Sequence, residues 1–562
     1  MNLYKHSYLL LCVLFFLACA RQTTPTGGPK DTIPPFAIGS YPKHGQVNFK
    51  GNNIQLTFSE TVILNNPKEQ LIITPGLPEN VNMTARKNQV TVELNQTLED
   101  NTTYTINFRD AVQDITEKNP ARNLKLAFST GSYLDSLSVE GHTFELLTGK
   151  PMKDATVALY AADTFNIFQH KPPYFTKTDE NGNFRLENLK PGSYHLYSIE
   201  DKNKNLIIDS KTESYGFISS SITIASNIQD ISIPMVRMDS RPLRLMNARP
   251  DGTYFSINTS KALTNYKIST EEDEHLITSF GKDQANVRVY NTFEGIDSLK
   301  VRFTGQDSIL NKIDTTLYVK FSSRKPTPDA FEVQTSSLNV IGTKGVLQGT
   351  ISYSKPLLQI NYDSILYRID STKQINITPA DINIDSIHNR LTIHKTFDKT
   401  ILPQKTPNNP AATNRQPNNK NRQTSAPVEN QFYLGKAALI SIELDSSKQK
   451  SETIKPSRLE ETGIIFVNIE TAAPNYFVEI VDKQFAVTQS KPGKPKLSFE
   501  DLKPGDYQIR LILDDNNDGK WSPGNYFKGE QPEEIIYYLN AKGSPLVSLK
   551  ANWELGPLLI TH

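Results

Sequence analysis

The stretch Ile54-Gln55-Leu56-Thr57-Phe58 alternates apolar and polar side chains. A period of two is typical of a β-strand with one face against a core and the other in water. The same alternation returns at residues 90–94 (VTVEL) and 104–108 (YTINF), and each stretch is short and bounded by Asn, Gly, Pro or Asp. Long stretches of helical periodicity are almost absent. The sequence therefore predicts an all-β fold in which Phe58 and Tyr104 face the core.

The region around this strand resembles a known domain family. The motifs are DTIPP at 31–35, IQLTFSE at 54–60, NTTYTI at 101–106 and FSTG at 128–131. Together they resemble a bacterial Ig-like domain of the S-layer (SbsA) type. This resemblance implies a β-sandwich at residues 33–132.

An internal repeat predicts two further modules. The stretch LKPGSY at 189–194 returns as LKPGDY at 502–507, and the offset holds without a gap from Glu187 and Glu500 to Asp201 and Asp514. Such a repeat indicates two copies of one unit. These residues resemble the small sandwiches of the carboxypeptidase-regulatory (transthyretin-like) and collagen-adhesin-B types. We therefore expect such modules at 136–236 and 463–562.

The middle of the chain is also rich in strand patterns. It predicts a β-sandwich at 240–335 and an Ig-like domain at 336–460. Residues 403–431 interrupt the second one with Pro, Asn, Gln, Lys and Arg, and Glu429 is their only acidic residue. This composition predicts a disordered insertion. It serves to reach a partner, or it has no role; the sequence leaves both open.

The N-terminus predicts export and anchoring. Lys5 and His6 precede the apolar run YLLLCVLFFLA at 8–18, which is too short to span a bilayer comfortably and suits a signal peptide at 1–18. The residues FLAC at 16–19 resemble the lipobox of bacterial lipoproteins. In that family the cysteine, here Cys19, carries acyl chains such as palmitate and begins the mature chain. The alternative is an ordinary secretory signal with a chance cysteine. A polar segment at 19–32 would then be a flexible tether.

Composition excludes several functional classes. The chain has 562 residues, two cysteines and a net charge of +1 from 61 basic and 60 acidic residues. After cleavage before Cys19 the only remaining cysteine is acylated, which excludes a disulfide scaffold, a thiol catalyst and a cysteine zinc site. The balanced charge gives no reason to expect a nucleic-acid partner.

The strongest candidate site is a loop after the second repeat motif. Asp514, Asn516 and Asp518 alternate and are followed by Gly519, with Ser522 nearby. Alternating oxygen ligands followed by glycine are typical of the opening of a calcium loop. The first repeat has Asp201, Asn203, Asn205 and Asp209 instead, with less negative charge, so we expect weaker binding there. The alternative is a polar turn stabilised by Asx hydrogen bonds. Bound Ca²⁺ would be structural.

A second pattern concerns modification. Asp followed by Ser or Thr and then by an aliphatic residue or Thr recurs along the chain, and it resembles the acceptor motif of a bacterial O-glycosylation system. Asp-Ser is also a common pair at strand boundaries, so both readings stay open. The acceptor residues would be Thr32, Ser136, Ser298, Ser308, Thr315, Ser364, Ser371 and Ser386.

The whole chain resembles a family of outer-membrane lipoproteins that carry an N-terminal Ig-like domain, most clearly at residues 19–35 (CARQTTPTGGPKDTIPP). This resemblance implies an outer-membrane lipoprotein, and the sequence has no catalytic motif, which predicts a non-catalytic role. The first hypothesis is a structural subunit of an outer-membrane complex, with a β-barrel or another envelope protein as partner and a role in assembling or exporting membrane proteins. The alternative is a glycan-binding or adhesive surface protein, although Trp521 and Trp553 are its only tryptophans. The sequence does not decide which face of the outer membrane the modules occupy.

Overall fold

The computed structural model describes residues 30–77, 81–161, 165–270, 276–291, 298–321, 329–402 and 430–562. The all-β prediction is confirmed, since strands dominate these ranges and the only α-helix in them is α1 (Pro67–Gln70). Short 3₁₀ turns lie at Tyr362–Ser364, Pro379–Asp381, Lys399–Ile401, Leu459–Glu461 and Tyr526–Lys528. No helix in the described part of the chain is long and apolar enough to cross a membrane. The predicted signal peptide, Cys19 and nearly all of the predicted insertion fall outside the described residues.

The first module contains nine strands and α1. They form one sheet in the order β1-β2-β6-β5, a second in the order β4-β7-β9, and the pair β3-β8. Phe58 and Tyr104 are buried, as predicted from the alternation. The strands are β1 (Ala37–Tyr41), β2 (Asn53–Phe58), β3 (Val62–Leu64), β4 (Ile72–Thr74), β5 (Val81–Arg86), β6 (Gln89–Leu94), β7 (Thr103–Asn107), β8 (Val112–Asp114) and β9 (Lys125–Ser129).

The second module is a sandwich of a three-stranded sheet, β13-β10-β17, and a five-stranded sheet, β12-β11-β14-β15 with β16 also on β14. Strands β10 and β17 run parallel and the other pairs run antiparallel. The strands are β10 (Leu137–Glu145), β11 (Thr156–Ala161), β12 (Tyr174–Lys177), β13 (Asn183–Leu189), β14 (Gly192–Ile199), β15 (Tyr215–Phe217), β16 (Ile222–Ile224) and β17 (Ile228–Met235).

Two further strand sets follow. The third module has sheets β18-β19-β22-β21 and β20-β23-β24, and the fourth has β25-β26-β31-β30, β29-β28-β32-β34 and the pair β27-β33. Because β25 begins at Val333 and pairs with β26, it crosses the predicted boundary at 335/336 and belongs wholly to the fourth module. The strands of the third module are β18 (Leu245–Asp251), β19 (Tyr254–Thr259), β20 (Asn265–Thr270), β21 (Thr278–Phe280), β22 (Asn286–Tyr290), β23 (Leu299–Gln306) and β24 (Lys312–Val319). Those of the fourth are β25 (Val333–Ile341), β26 (Val346–Tyr353), β27 (Leu357–Ile360), β28 (Ile365–Arg368), β29 (Gln374–Asn376), β30 (Ile382–Asp385), β31 (Arg390–Thr396), β32 (Gln431–Leu434), β33 (Leu439–Ser441) and β34 (Lys450–Thr453).

The fifth module repeats the strand order of the second. Its sheets are β38-β35-β42 and β37-β36-β39-β40, with β41 also on β39. The parallel pair recurs as β35 and β42. The strands are β35 (Gly463–Glu470), β36 (Tyr476–Asp482), β37 (Val487–Pro492), β38 (Lys496–Leu502), β39 (Gly505–Leu513), β40 (Ile535–Tyr537), β41 (Val547–Leu549) and β42 (Glu554–Thr561).

The second and fifth modules pack against each other. One buried apolar cluster contains Ile199 and Tyr215 from the second module and Ile512 and Ile535 from the fifth. The Tyr526 ring lies 5.4 Å from that of Phe217. The chain therefore returns to its second module after more than two hundred intervening residues and closes on itself.

Candidate functional sites

The loop after β39 brings together the residues predicted to bind calcium. Asp514 Oδ1 accepts a hydrogen bond from the backbone N–H of Asp518 at 3.0 Å, and Asn516 Oδ1 accepts from the same N–H at 2.9 Å. Asp514 Oδ2 accepts from the Gly519 N–H at 2.9 Å. Asn516 also donates from Nδ2 to Ser522 Oγ at 2.8 Å. These bonds shape a tight turn in which the oxygens converge from alternating residues.

The loop after β14 has the same hydrogen bonds at equivalent positions. Asp201 Oδ1 and Asn203 Oδ1 both accept from the Asn205 N–H, at 3.0 and 3.1 Å, and Asp201 Oδ2 accepts from the Leu206 N–H at 3.1 Å. Asp209 Oδ1 accepts from the Lys211 N–H at 3.1 Å. The repeat therefore extends from the strands to the hydrogen bonds of these loops.

Each loop also contains a buried glutamate that the sequence analysis missed. Glu213 accepts from the N–H groups of Lys202 and Asp209, at 3.0 and 2.8 Å. Glu533 accepts from the N–H groups of Asp515 and Ser522, at 3.1 and 2.8 Å. Both side chains are buried.

The sequence analysis missed these glutamates because the two loops differ in length. Glu213 follows Asp209 by four residues, whereas Glu533 follows Ser522 by eleven. A fixed offset therefore does not align the two glutamates. The equal pattern of accepted N–H bonds is the signal that relates them.

Burial and a neighbouring charge disfavour the ionised form of the glutamate in the second loop. Burial raises the pKa of Glu533 above its usual value, and the neighbouring charge of Asp514 raises it further. A bound cation would relieve both effects, and carboxylate and amide oxygens are the ligands that Ca²⁺ prefers. The described residues nevertheless contain no group of three or more His, Cys, Asp or Glu side chains arranged to hold a metal ion. The loop oxygens accept backbone N–H bonds instead, so calcium stays a prediction for both loops.

The predicted glycosylation residues lie at the surface. Thr32, Ser136, Ser298, Ser308, Ser371 and Ser386 are exposed, and Thr315 and Ser364 are partly exposed. A transferase could therefore reach all of them in the folded chain, and their modification stays a prediction.

A groove of about 520 Å³ lies between the third and fourth modules. Most of its lining residues are apolar or aromatic, and Thr278, Gln359, Ser386 and Asn389 contribute polar groups. Leu358 and Ile384 line the groove and are 59% and 50% exposed. The other apolar and aromatic lining residues are Leu276, Ile277, Tyr353, Pro356, Leu357, Ile360, Tyr362 and Ile387.

Three outer strands border this groove. Strand β21 ends the sheet of the third module, β30 ends a sheet of the fourth, and β27 belongs to a two-stranded sheet. The two modules are joined beside it by a hydrogen bond from the Phe280 N–H to Ile387 O at 2.8 Å. Asn389 Nδ2 also donates to Ser279 Oγ at 3.0 Å. Two hydrogen bonds therefore join the modules beside the groove, and the strands that border it present apolar side chains.

Comparison with known families identifies the first module. Residues 31–130 match the family described as a bacterial Ig-like domain, Big_5. This confirms the Ig-like prediction for that region, which is less than a fifth of the chain. The SbsA type stays a prediction. No curated protein matches the chain.

Two pilin structures are similar to the chain only in part. BcpA, the major pilin subunit of Bacillus cereus, matches at 11% identity over 76% of this chain and 99% of the pilin, with a TM-score of 0.13. A streptococcal ancillary pilin matches at 12% identity over 44% of this chain and 80% of the pilin, with a TM-score of 0.14. Scores this low carry no argument about function, and the match of residues 31–130 is what relates this chain to a family.

Proposed function

We propose that this protein is a non-catalytic, lipid-anchored outer-membrane protein whose β-sandwich modules bind another envelope protein. The groove between the third and fourth modules is the observation that carries the proposal. Anchoring through acylated Cys19 is its second part, and it rests on the FLAC motif. The proposed partner is an outer-membrane β-barrel or another envelope protein. The proposed role is that of a structural subunit of an outer-membrane complex for assembly or export of membrane proteins.

The groove suits an extended segment of a partner protein. An outer strand presents backbone N–H and C=O groups that a further strand can pair with, and apolar pockets beside it can hold alternate side chains. Leu358 and Ile384 lie on β27 and β30, so a segment in the groove would contact both while running beside either edge. Natural sheets usually protect such edges with charge, and apolar residues here favour use as a binding surface.

A glycan-binding or adhesive role is the alternative, and the aromatic residues favour it less. Sugar recognition commonly uses exposed aromatic rings. Trp521 donates from Nε1 to Glu533 O at 3.0 Å and packs against the cluster shared by the second and fifth modules. Trp553 is exposed, with Lys550 Nζ 4.8 Å from the centre of its ring.

The test is purification of the tagged native protein from its membrane in mild detergent, followed by mass spectrometry. We expect a stoichiometric envelope protein to accompany the wild type. Leu358→Asp and Ile384→Asp should abolish its recovery, because a charge in the groove opposes apolar contact. Val487→Asp is the matched control, since Val487 is exposed to a similar degree, 48%, on an outer strand of the fifth module.

Two results would contradict the proposal. Recovery of the protein alone at several detergent strengths would show that it is not a subunit of a stable complex. Retention of the partner by both groove variants would show that the groove is not the binding site. Retention of the protein on an immobilised glycan panel would favour the adhesive alternative.

A further inference from the structure

Large apolar side chains are exposed along the N-terminal edge of the first module. Five of the twenty large apolar side chains that are exposed in the described residues lie within residues 33–47. Ile33, Phe36, Ile38 and Tyr41 each expose more than half of their surface. We call these four residues the N-terminal stripe. Clustered exposed apolar side chains in a soluble module usually mark a contact with a protein or a membrane.

The stripe is held in place by the module. Residues 37–41 form β1, the outer strand of its sheet, and among the described strands β1 pairs with β2 alone. The Phe36 N–H donates to Ser59 Oγ at 3.3 Å and Phe36 O accepts from the Ser59 N–H at 3.0 Å. The Tyr41 ring packs edge-on against Phe49 at 5.8 Å. At about 3.3 Å per residue, the stripe extends along roughly 25–30 Å of this edge.

The chain before the stripe places it beside the predicted anchor. The described residues begin at Lys30, and only ten residues lie between that position and Cys19. A chain of this length reaches at most roughly 40 Å, even when it is fully extended. A bilayer that carries the acyl chains is therefore within reach of the stripe, and the tether gives it a high effective concentration there.

Charge and chemistry agree with a lipid surface. Lys43 and Lys50 are exposed, and Lys43 lies two residues after Tyr41 in sequence. Lys30 is also exposed, with its Nζ 3.9 Å from the Glu117 carboxylate. Lysines near a bilayer are attracted by anionic headgroups, and aliphatic and aromatic side chains partition into the boundary between headgroups and acyl chains. Tyrosine suits this depth because its ring is apolar and its hydroxyl is polar.

We propose that the N-terminal stripe rests in the headgroup region of the bilayer to which the chain is anchored. This inference rests on the anchoring part of the proposed function. The contact would fix the edge of the first module against the membrane and so set the direction in which the remaining modules project. Without it, a polar tether would leave the first module free to rotate.

The test uses the full acylated protein in vesicles of phosphatidylethanolamine and phosphatidylglycerol. Ile38→Cys introduces a labelling site for an environment-sensitive fluorophore, since the mature chain has no other cysteine except acylated Cys19. We expect nitroxide-labelled lipids to quench about half or more of this fluorescence, as for a side chain at the headgroup boundary. Leu539→Cys is the control, because Leu539 is similarly exposed in the fifth module. Its fluorescence should change little.

Flotation of the vesicles separates this inference from the proposed function. Protein that does not float with the vesicles overturns the anchor and the inference together. Protein that floats but shows no more quenching at position 38 than at position 539 overturns the inference and leaves the anchor intact. Cross-linking of position 38 in native membranes to an envelope protein instead of lipid also overturns it and favours strand pairing at β1.

A second variant tests whether the stripe itself causes the contact. In a protein labelled at Tyr41→Cys, the pair Phe36→Ser and Ile38→Ser should reduce quenching to the level of the Leu539→Cys control. Both replaced side chains are exposed, so circular dichroism should show an unchanged fold. Unchanged quenching would contradict the proposal.

Discussion

At the scale of single residues, Asp114 shows how a buried carboxylate organises the first module. Its side chain is fully buried at the end of β8 and accepts N–H bonds from Glu117 at 2.6 Å, Lys118 at 2.9 Å and Asn119 at 3.1 Å. Burial alone would raise the pKa of Asp114, but these hydrogen bonds lower it below its usual value. Asn119 Nδ2 in turn donates to Asp31 O at 3.0 Å. Asp114 therefore ties the start of the module to its core.

Replacing this carboxylate should destabilise the first module at neutral pH. An amide has one acceptor oxygen, so Asp114→Asn loses part of the bonding to the turn, and we expect the free energy of unfolding to fall by about 1–3 kcal/mol. Because the folded pKa is lowered, the carboxylate contributes fully above its unfolded pKa, near 4, and this contribution is lost as the pH falls through the folded value. Denaturant unfolding at pH 7 and pH 3 measures both effects.

The matched control is Asp110→Asn, since Asp110 is exposed four residues earlier. It should change the free energy of unfolding by less than about 0.5 kcal/mol. Equal stability of the Asp114 and Asp110 variants at pH 7 would contradict the role given to Asp114.

Some residues were predictable from the sequence and others were not. Alternation placed Phe58 and Tyr104 in the core because a strand shows its two faces at a period of two. The Asp and Asn positions of the two loops were visible because they lie close in sequence. Glu213 and Glu533 were not visible, since chain segments of unequal length bring them under their loops. A three-dimensional contact leaves no fixed spacing in sequence.

At the scale of elements, the segment around the 3₁₀ turn Tyr526–Lys528 joins the fifth module to its neighbours. Tyr526 lies among the rings of Phe168, Tyr215 and Phe217. Asn525 Nδ2 donates to Ile309 O at 2.7 Å, and Gln531 Nε2 donates to Phe217 O at 2.8 Å. This short segment therefore contacts both the second and the third modules.

Removing the Tyr526 ring should loosen this junction. We expect Tyr526→Ala to cost about 3–5 kcal/mol, the usual cost of deleting a packed aromatic side chain. Amide hydrogen exchange at Tyr215–Phe217 (β15) should become faster. Phe527→Ala is the control and should cost less than about 1 kcal/mol, because Phe527 is 63% exposed. Unchanged exchange in the Tyr526 variant would show that the segment does not hold the junction.

The loops after β14 and β39 give a prediction about calcium. We expect millimolar Ca²⁺ to raise the unfolding temperature measured by calorimetry. The free energy of unfolding should rise by about 2.7 kcal/mol when the Ca²⁺ concentration is a hundred times Kd. Asp514→Asn should remove most of this gain and Asp201→Asn a smaller part. Asp515→Asn is the control, because it makes the same charge change in the same loop outside the proposed ligand set. An unfolding temperature that does not change when Ca²⁺ or EDTA is added would contradict the prediction.

The calcium effect should also depend on pH. Since the folded pKa of Glu533 is raised, this carboxyl favours the folded state at low pH, and that contribution is lost as the pH rises through the folded value. A cation near Glu533 competes with the proton. We therefore expect the stabilisation by Ca²⁺ to grow between pH 5 and pH 7.5, and Glu533→Gln to flatten this dependence.

At the scale of the whole molecule, equivalent surfaces of the two repeated modules meet in one core. Ile199 and Ile512 occupy the same position in β14 and β39, and they pair with Tyr215 and Ile535 in the neighbouring strands. All four are buried in the shared cluster. The contact is reinforced by Tyr537 Oη, which donates to Leu146 O at 3.2 Å. The two copies of the sequence repeat therefore pack against each other in the folded chain.

This pairing predicts that the second and fifth modules unfold together. Each would expose the apolar face of the other, so calorimetry of the full chain should show one common transition for both, and hydrogen exchange should report equal opening free energies in β14 and β39. In the Tyr526→Ala protein the second and fifth modules should unfold in separate transitions. Distinct transitions in the wild type would contradict the pairing.

The sequence predicted the repeat but not the pairing. The offset between LKPGSY and LKPGDY identified two copies because the same turn and strand chemistry recurs. Ile199, Tyr215, Ile512 and Ile535 look like ordinary core positions of each sandwich, since burial between modules selects the same residue types as burial within one. Their partner surfaces lie more than three hundred residues apart, and no local pattern encodes that distance.

The shared core also bears on how the chain is made. A ribosome releases the second module roughly three hundred residues before the fifth, which is a delay of tens of seconds at about 5–20 residues per second. During that time Tyr215, Phe217 and Ile199 lack the part of their cover that the fifth module supplies. A nascent or translocating chain in this state is prone to aggregation and to exchange of the late module between two molecules. Folding of this chain should therefore depend strongly on a holding chaperone, and chains cut short before residue 463 should be degraded even though their second module is complete.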